Sequence, residues 1–155
     1  MQENPEYIKA EKTALRLITR AEQCMGGLAR KLEKRGYSAA CVNSVISRLC
    51  EMKLLDDSRF ARLWLESRMR YTRTPRRLLS SLCARGIDRD DAEAAIKSVF
   101  DDEAEFALLT RFIKKHSRKK RGKNKGEADS RSLKYLLKNE GFSASSIRRY
   151  FEDSE

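Results

Sequence analysis

Apolar residues return along this chain in one compound pattern, and the pattern occurs three times. From a leucine, a second leucine follows at +4, glycine at +8, an aromatic or aliphatic residue at +9, and Ser or Asp at +10; apolar residues then stand at +14, +17 and +18. The first copy is Leu28, Leu32, Gly36, Tyr37, Ser38, Val42, Val45 and Ile46. The second is Leu78, Leu82, Gly86, Ile87, Asp88, Ala92, Ala95 and Ile96, and the third Leu133, Leu137, Gly141, Phe142, Ser143, Ile147, Tyr150 and Phe151. Each copy has a mechanical meaning. Two leucines four apart form the buried edge of a short helix. The glycine can take the left-handed backbone that ends it, the next residue turns back into the core, and Ser or Asp caps the following helix.

A further helix is expected ahead of each copy, near residues 6–23, 58–73 and 102–116. The chain therefore reads as all-α, with three tandem three-helix repeats at residues 1–53, 54–100 and 101–155. The middle helix of each repeat is too short to persist alone and must be held by packing. In the second repeat it opens with Thr74-Pro75, an N-cap followed by proline at the first helical position.

The stretch Leu54–Thr74 reads as one long helix with Asp56 and Asp57 as cap and linker at its start. Phe60, Leu63, Trp64, Ser67 and Tyr71 share one face, expected to be core. Arg59, Arg62, Glu66, Arg70 and Arg73 gather opposite. Arg68 falls within the apolar arc, where an unpaired charge is costly, so a buried ion pair is expected, with Asp56 or Asp57 as candidate partners.

Composition supports helix: apolar content is 40%, charged content 37%, and glycine and proline number seven and two. No apolar run reaches the roughly 20 residues needed to span a bilayer, and the start of the chain lacks a signal-peptide pattern. A soluble cytoplasmic protein is expected. Cys24, Cys41, Cys50 and Cys83 have neither C-x-x-C nor zinc-ligand spacing and read as small apolar fillers in a reducing compartment.

Charge changes the picture most. The net charge of +11 is concentrated in two acid-free runs, Arg68–Arg77 with five arginines and Lys114–Lys125 with eight Lys/Arg. Outside them acids slightly outnumber bases, so an anionic partner is implied. The arginine face formed by Arg59, Arg62, Arg70 and Arg73, continuing into Arg76 and Arg77, is the leading candidate for phosphate contact, since a guanidinium can bind two oxygens at once. Lys119, Lys120 and Arg121 lie in a basic loop expected near residues 118–130, either an electrostatic tether to DNA or a solvated segment. Catalysis has little support: His116 has no triad or metal partner nearby in sequence, and no nucleotide-binding loop is present. No catalytic, cofactor or metal site is expected, and the protein is read as a non-enzyme.

The block L-L-D-D-S-R-F-A beginning at Leu54, Arg68 after it, and the leucine–glycine units at Leu28–Tyr37 and Leu78–Ile87 resemble the RecX regulatory proteins of bacteria. The likeness covers roughly residues 14–151, and its specific part is the block with Asp56, Asp57 and Phe60. It implies an elongated, curved array of helical repeats. It also implies a non-enzymatic modulator, usually an inhibitor, of the RecA recombinase in DNA repair and homologous recombination, bound along the groove of the RecA–DNA filament and in contact with single- or double-stranded DNA; a monomer is expected. The rival reading is a stand-alone DNA-binding protein whose helix–glycine–helix units act as helix-turn-helix modules. Against it, the third helix of the second repeat begins with acids and contains Glu93.

Overall fold

The computed structural model describes residues 4–120 and 130–153, which form nine helices and no strand. In order they are α1 (Pro5–Arg20), α2 (Met25–Glu33), α3 (Ala39–Glu51), α4 (Asp57–Arg68), α5 (Pro75–Ala84), α6 (Arg89–Val99), α7 (Asp102–Lys120), α8 (Ser130–Asn139) and α9 (Ala144–Glu152). The all-α reading holds, and each leucine–glycine copy forms the second and third helices of a triplet. None of these helices is long and apolar enough to cross a membrane.

The glycines explain why the three copies look alike. Gly36, Gly86 and Gly141 have φ of +89°, +98° and +87°, a region closed to most side chains. Each sits in the same double hydrogen-bonded helix stop. Gly36 N–H donates to Glu33 and Tyr37 N–H to Leu32; the pairs Gly86–Cys83 with Ile87–Leu82, and Gly141–Lys138 with Phe142–Leu137, repeat it. The residue after the glycine folds back as expected, fully for Ile87 and Phe142 and half-buried for Tyr37.

The serine after the turn ties back to the first helix of its triplet, and the cap expected of it forms at Ser143 but not at Ser38. Ser38 N–H and Oγ both donate to the Glu6 carboxylate of α1, at 2.6 and 3.1 Å, and its side chain makes no cap bond to α3. Ser143 makes the same pair of bonds to Glu105 of α7, at 2.8 and 2.6 Å, and also caps α9. The second repeat has Asp88 at this position. Its carboxylate has no hydroxyl to donate, and it accepts from Asp90 N–H.

By contact the chain divides into two compact units, residues 1–63 with 82–92 and residues 64–81 with 93–155. The core of the first unit joins Ala10 and Ala14 of α1, Leu28 and Leu32 of α2, and Cys41, Val42, Val45 and Leu49 of α3. In the same unit the start of α2 rests on the α5–α6 glycine turn: a methyl added at Gly26 would stand 2.9 Å from Gly86 Cα, which leaves room for glycine alone. Cys24 Sγ donates to Arg85 O, and both terminal nitrogens of Arg30 donate to Ala84 O. The second unit contains the counterpart of this junction. There the start of α5 rests on the α8–α9 turn, with Arg76 N–H donating to Glu140 O and Thr74 Oγ1 to Glu140 Oε2. The third triplet packs Leu108, Leu109 and Ile113 of α7 on Leu137 and Phe142, flanked by half-buried Phe112, Tyr150 and Phe151.

Candidate nucleic-acid interface

The helix expected to run from 58 to 73 stops at Arg68. Proline at 75 disfavours helical backbone at Thr74, so the chain must leave the helix before α5 can begin. Residues 69–74 form a structured loop instead. Tyr71 N–H donates to Arg68 O, Arg73 N–H to Tyr71 O, and Arg111 of α7 donates to Met69 O at 3.3 Å, satisfying a carbonyl released by the helix end. Arg70 and Arg73 are therefore loop residues and share no helix face with Arg59 and Arg62.

The buried stripe of α4 is also rotated from the expected one. Asp57, Ala61 and Leu65 are its buried positions; Phe60, Trp64 and Arg68 flank it half-buried, and Leu63, Ser67 and Tyr71 are exposed. The doublet of acids splits its work. Asp56 caps α4 through Arg59 N–H, whereas Asp57 is buried and accepts Met25 N–H at 2.7 Å, capping α2, whose own N-cap Cys24 offers no side-chain bond. Burial raises the Asp57 pKa, with the Met25 N–H opposing and the neighbouring Asp91 and Asp56 charges adding to the rise. The ion pair expected for Arg68 is absent among the described residues: its guanidinium lies over Trp64, 5.3 Å from the ring centroid, and its Nε is buried without a hydrogen-bond partner. The face of an indole supplies the attraction that an aspartate was expected to supply.

Of the candidate phosphate-binding arginines, Arg59 is otherwise engaged. Its Nε meets Glu22 Oε1 at 2.7 Å, and that hydrogen bond, before the simple charge attraction, raises its pKa. Arg62 is exposed on α4 in the first unit, and Arg70 is exposed in the loop. Arg73, Arg76 and Arg77 come together. With Tyr71, Thr72, Ser80, Ser81, Lys115 and Glu140 they line an open hollow of about 780 Å³ in the second unit. Thr72 and Lys115 also line a second depression with Arg111, Lys114 and Arg118. The two basic runs, some forty residues apart in the chain, thus form one surface. Among the described residues Glu140 is the one acid lining either depression, and its carboxylate already accepts the Thr74 hydroxyl at 2.6 Å. Among the described residues, Arg73, Arg76, Arg77 and Lys115 make no ion pair.

Helix α7 continues to Lys120, beyond the expected end at 116; the cations in its last turns complement the helix dipole. Arg121 and the rest of the expected basic loop, residues 121–129, lie outside the described residues, as do the side chains of Lys119 and Lys120. The sequence reading missed Arg111 and put Tyr71 in the core. A signal for Arg111 was present, since positions 111, 114, 115 and 118 are basic at helical spacing, one turn apart. No cluster of His, Cys, Asp or Glu suited to a metal occurs among the described residues, and all four cysteines are free thiols, with Cys24 and Cys41 buried and Cys83 exposed.

Family models place this arrangement among known proteins. One described as RecX, first three-helix domain, matches residues 10–49, and one described as RecX, second three-helix domain, matches residues 56–96. The regulatory protein RecX of Treponema pallidum (strain Nichols) is 36% identical over 142 residues, covering 91% of this chain and 82% of that protein. The regulatory protein RecX of Thermobifida fusca is 31% identical over 139 residues, covering 89% and 74%. A crystal structure of RecX from Lactobacillus salivarius superposes with a TM-score of 0.72 at 19% identity, covering 96% of both chains, which supports the fold.

Proposed function

This chain belongs to the RecX family of regulatory proteins, and we propose that it regulates the RecA recombinase by binding along the groove of the RecA–DNA filament, where it limits filament growth or ATP turnover. The observation that carries this reading is the convergence of two acid-free basic runs on one surface of the second unit. Such a surface suits a polyanion. Arg70, Arg73, Arg76 and Arg77 would meet phosphates, Arg111, Lys114 and Lys115 would extend the track along α7, and Lys119, Lys120 and Arg121 would continue it. Arginine favours this role because its fork can hold two phosphate oxygens.

In this mechanism the repeats at 1–53, 54–100 and 101–155 act as separate contact modules on successive recombinase subunits. Weak contacts on one scaffold reinforce each other through effective concentration, so occupancy can be high without a deep pocket. The protein inhibits by occupying the groove rather than by chemistry, and it acts as a cytoplasmic monomer. The stand-alone helix-turn-helix reading is weaker, because exposed Asp90 and Asp91 open α6 and would repel a duplex backbone.

Partner-dependent binding tests the proposal. Cosedimentation should show strong retention on RecA-coated single-stranded DNA and much weaker retention on naked duplex. Equal binding to naked duplex and filament would favour the stand-alone reading, and no response to DNA would favour a protein-only scaffold.

A further inference from the structure

We propose that the basic surface of the second unit takes single-stranded nucleic acid, with the Tyr71 ring stacking on a base while Arg73, Arg76, Arg77 and Lys115 hold the neighbouring phosphates. This deepens the reading of that surface as DNA-facing and rests on it.

Tyr71 carries the argument. It is 51% exposed, and it lines the hollow together with these four cations. The ring stands among charged and hydroxyl side chains at the edge of the hollow. In this setting it offers a stacking platform beside a backbone-binding groove, the combination that single-strand binders use. The backbone that carries the ring is braced. Arg111 grips the carbonyl of Met69, Tyr71 N–H bonds to Arg68 O, and Thr74 is tied to Glu140 at the far side of the loop. The ring is presented from a braced loop, so little ordering is lost when a base settles on it.

The shape selects among polyanions. The hollow is open, and it shares Thr72 and Lys115 with the second depression, so a chain can pass from Arg73–Arg77 to Arg111 and Lys114 without leaving cationic surface. An intact duplex keeps its bases paired and stacked inward and presents sugar and phosphate to such a wall, leaving the ring nothing planar to meet. An acidic polypeptide could pair with the arginines but would likewise leave the ring unused. A single strand satisfies both features.

The test measures fluorescence anisotropy of the full chain with three labelled 12-mers at one salt concentration: oligo-dT, an abasic strand with the same phosphates, and a duplex. Oligo-dT should bind about 10-fold more tightly than the abasic strand, within the range reported for one stacked base. Tyr71→Leu should abolish that difference, and Tyr71→Phe should preserve it. Circular dichroism checks that both variants remain folded. Equal affinity for oligo-dT and the abasic strand, or a preference that survives Tyr71→Leu, would overturn the proposal. So would tighter binding of the duplex, or competition by poly-glutamate as effective as that by oligo-dT. Recombinase inhibition is measured separately. If it persists in a protein with no base preference, the regulatory reading survives and this inference fails; base-dependent binding without inhibition gives the reverse.

Discussion

The two compact units carry the same helix–glycine–helix device but use their cations differently. In the first unit, Arg48 pairs with Glu11 at 3.2 Å and Arg59 with Glu22 at 2.7 Å, Lys31 donates to Gln23 and Arg30 to the Ala84 carbonyl. Those side chains are occupied in joining helices. Around the hollow of the second unit, Arg73, Arg76, Arg77 and Lys115 have no acid partner among the described residues. The second unit also pairs Arg149 with Glu103, but that contact lies at the start of α7, some 18 Å of helical rise before Lys115. One repeated scaffold therefore ties these cations into its framework in the first unit, and in the second it gathers unpaired ones around a hollow.

That contrast can be broken at several levels. The largest effect should come from the shared core. Leu32 and Leu137 occupy the same repeat position and are both fully buried, so Leu32→Ala and Leu137→Ala should each cost about 2–5 kcal/mol, read by urea denaturation. If the units open separately, hydrogen exchange should locate the lost protection in the unit mutated. Next is the glycine junction. Gly26→Ala pushes a methyl against Gly86 backbone and should cost about 1–3 kcal/mol, whereas Gly27→Ala meets a side chain, the Cys24 thiol, in place of backbone and should cost less. Exposed ion pairs come last: Arg48→Ala should change stability by about 0–1 kcal/mol and leave nucleic-acid affinity unaltered, which separates the framework cations from the surface ones.

Asp57 sharpens the comparison through pH. Its folded-state pKa is raised, chiefly by burial, so the native state holds this proton more tightly than the unfolded chain does. Stability from this group therefore rises as pH falls through its raised folded value and levels off below the ordinary carboxylate range; it is lost again as pH increases. Asp57→Asn keeps an oxygen for Met25 N–H and should flatten that part of the profile, measured as denaturation midpoint against pH. A wild-type-like slope in the variant would mean that another group is responsible.

Much of the fold was legible because the backbone demands it. Only glycine serves readily at the three left-handed stops, and the paired leucines mark the helix before each one. The end of α4 was harder to read. Periodicity carried the apolar pattern through Tyr71, but Pro75 and the Arg111–Met69 bond end the helix at Arg68, and the latter is a contact between residues 42 positions apart. The partner of Arg68 was misread for a similar reason: charge alone suggested an aspartate, while Trp64, one turn earlier, supplied its ring. As for the site, the two basic runs were visible as separate features. Their union depends on where Lys115 lies relative to the start of α5, which no local pattern encodes.

The central claim is that the unpaired arginine surface of the second unit restrains the recombinase. ATP hydrolysis by RecA on single-stranded DNA tests it most directly, with wild-type protein beside Arg73→Ala/Arg76→Ala/Arg77→Ala. Wild type should depress turnover, and the triple variant, still folded, should largely restore it. Inhibition by the triple variant equal to wild type, or turnover that wild type leaves untouched, would contradict the account.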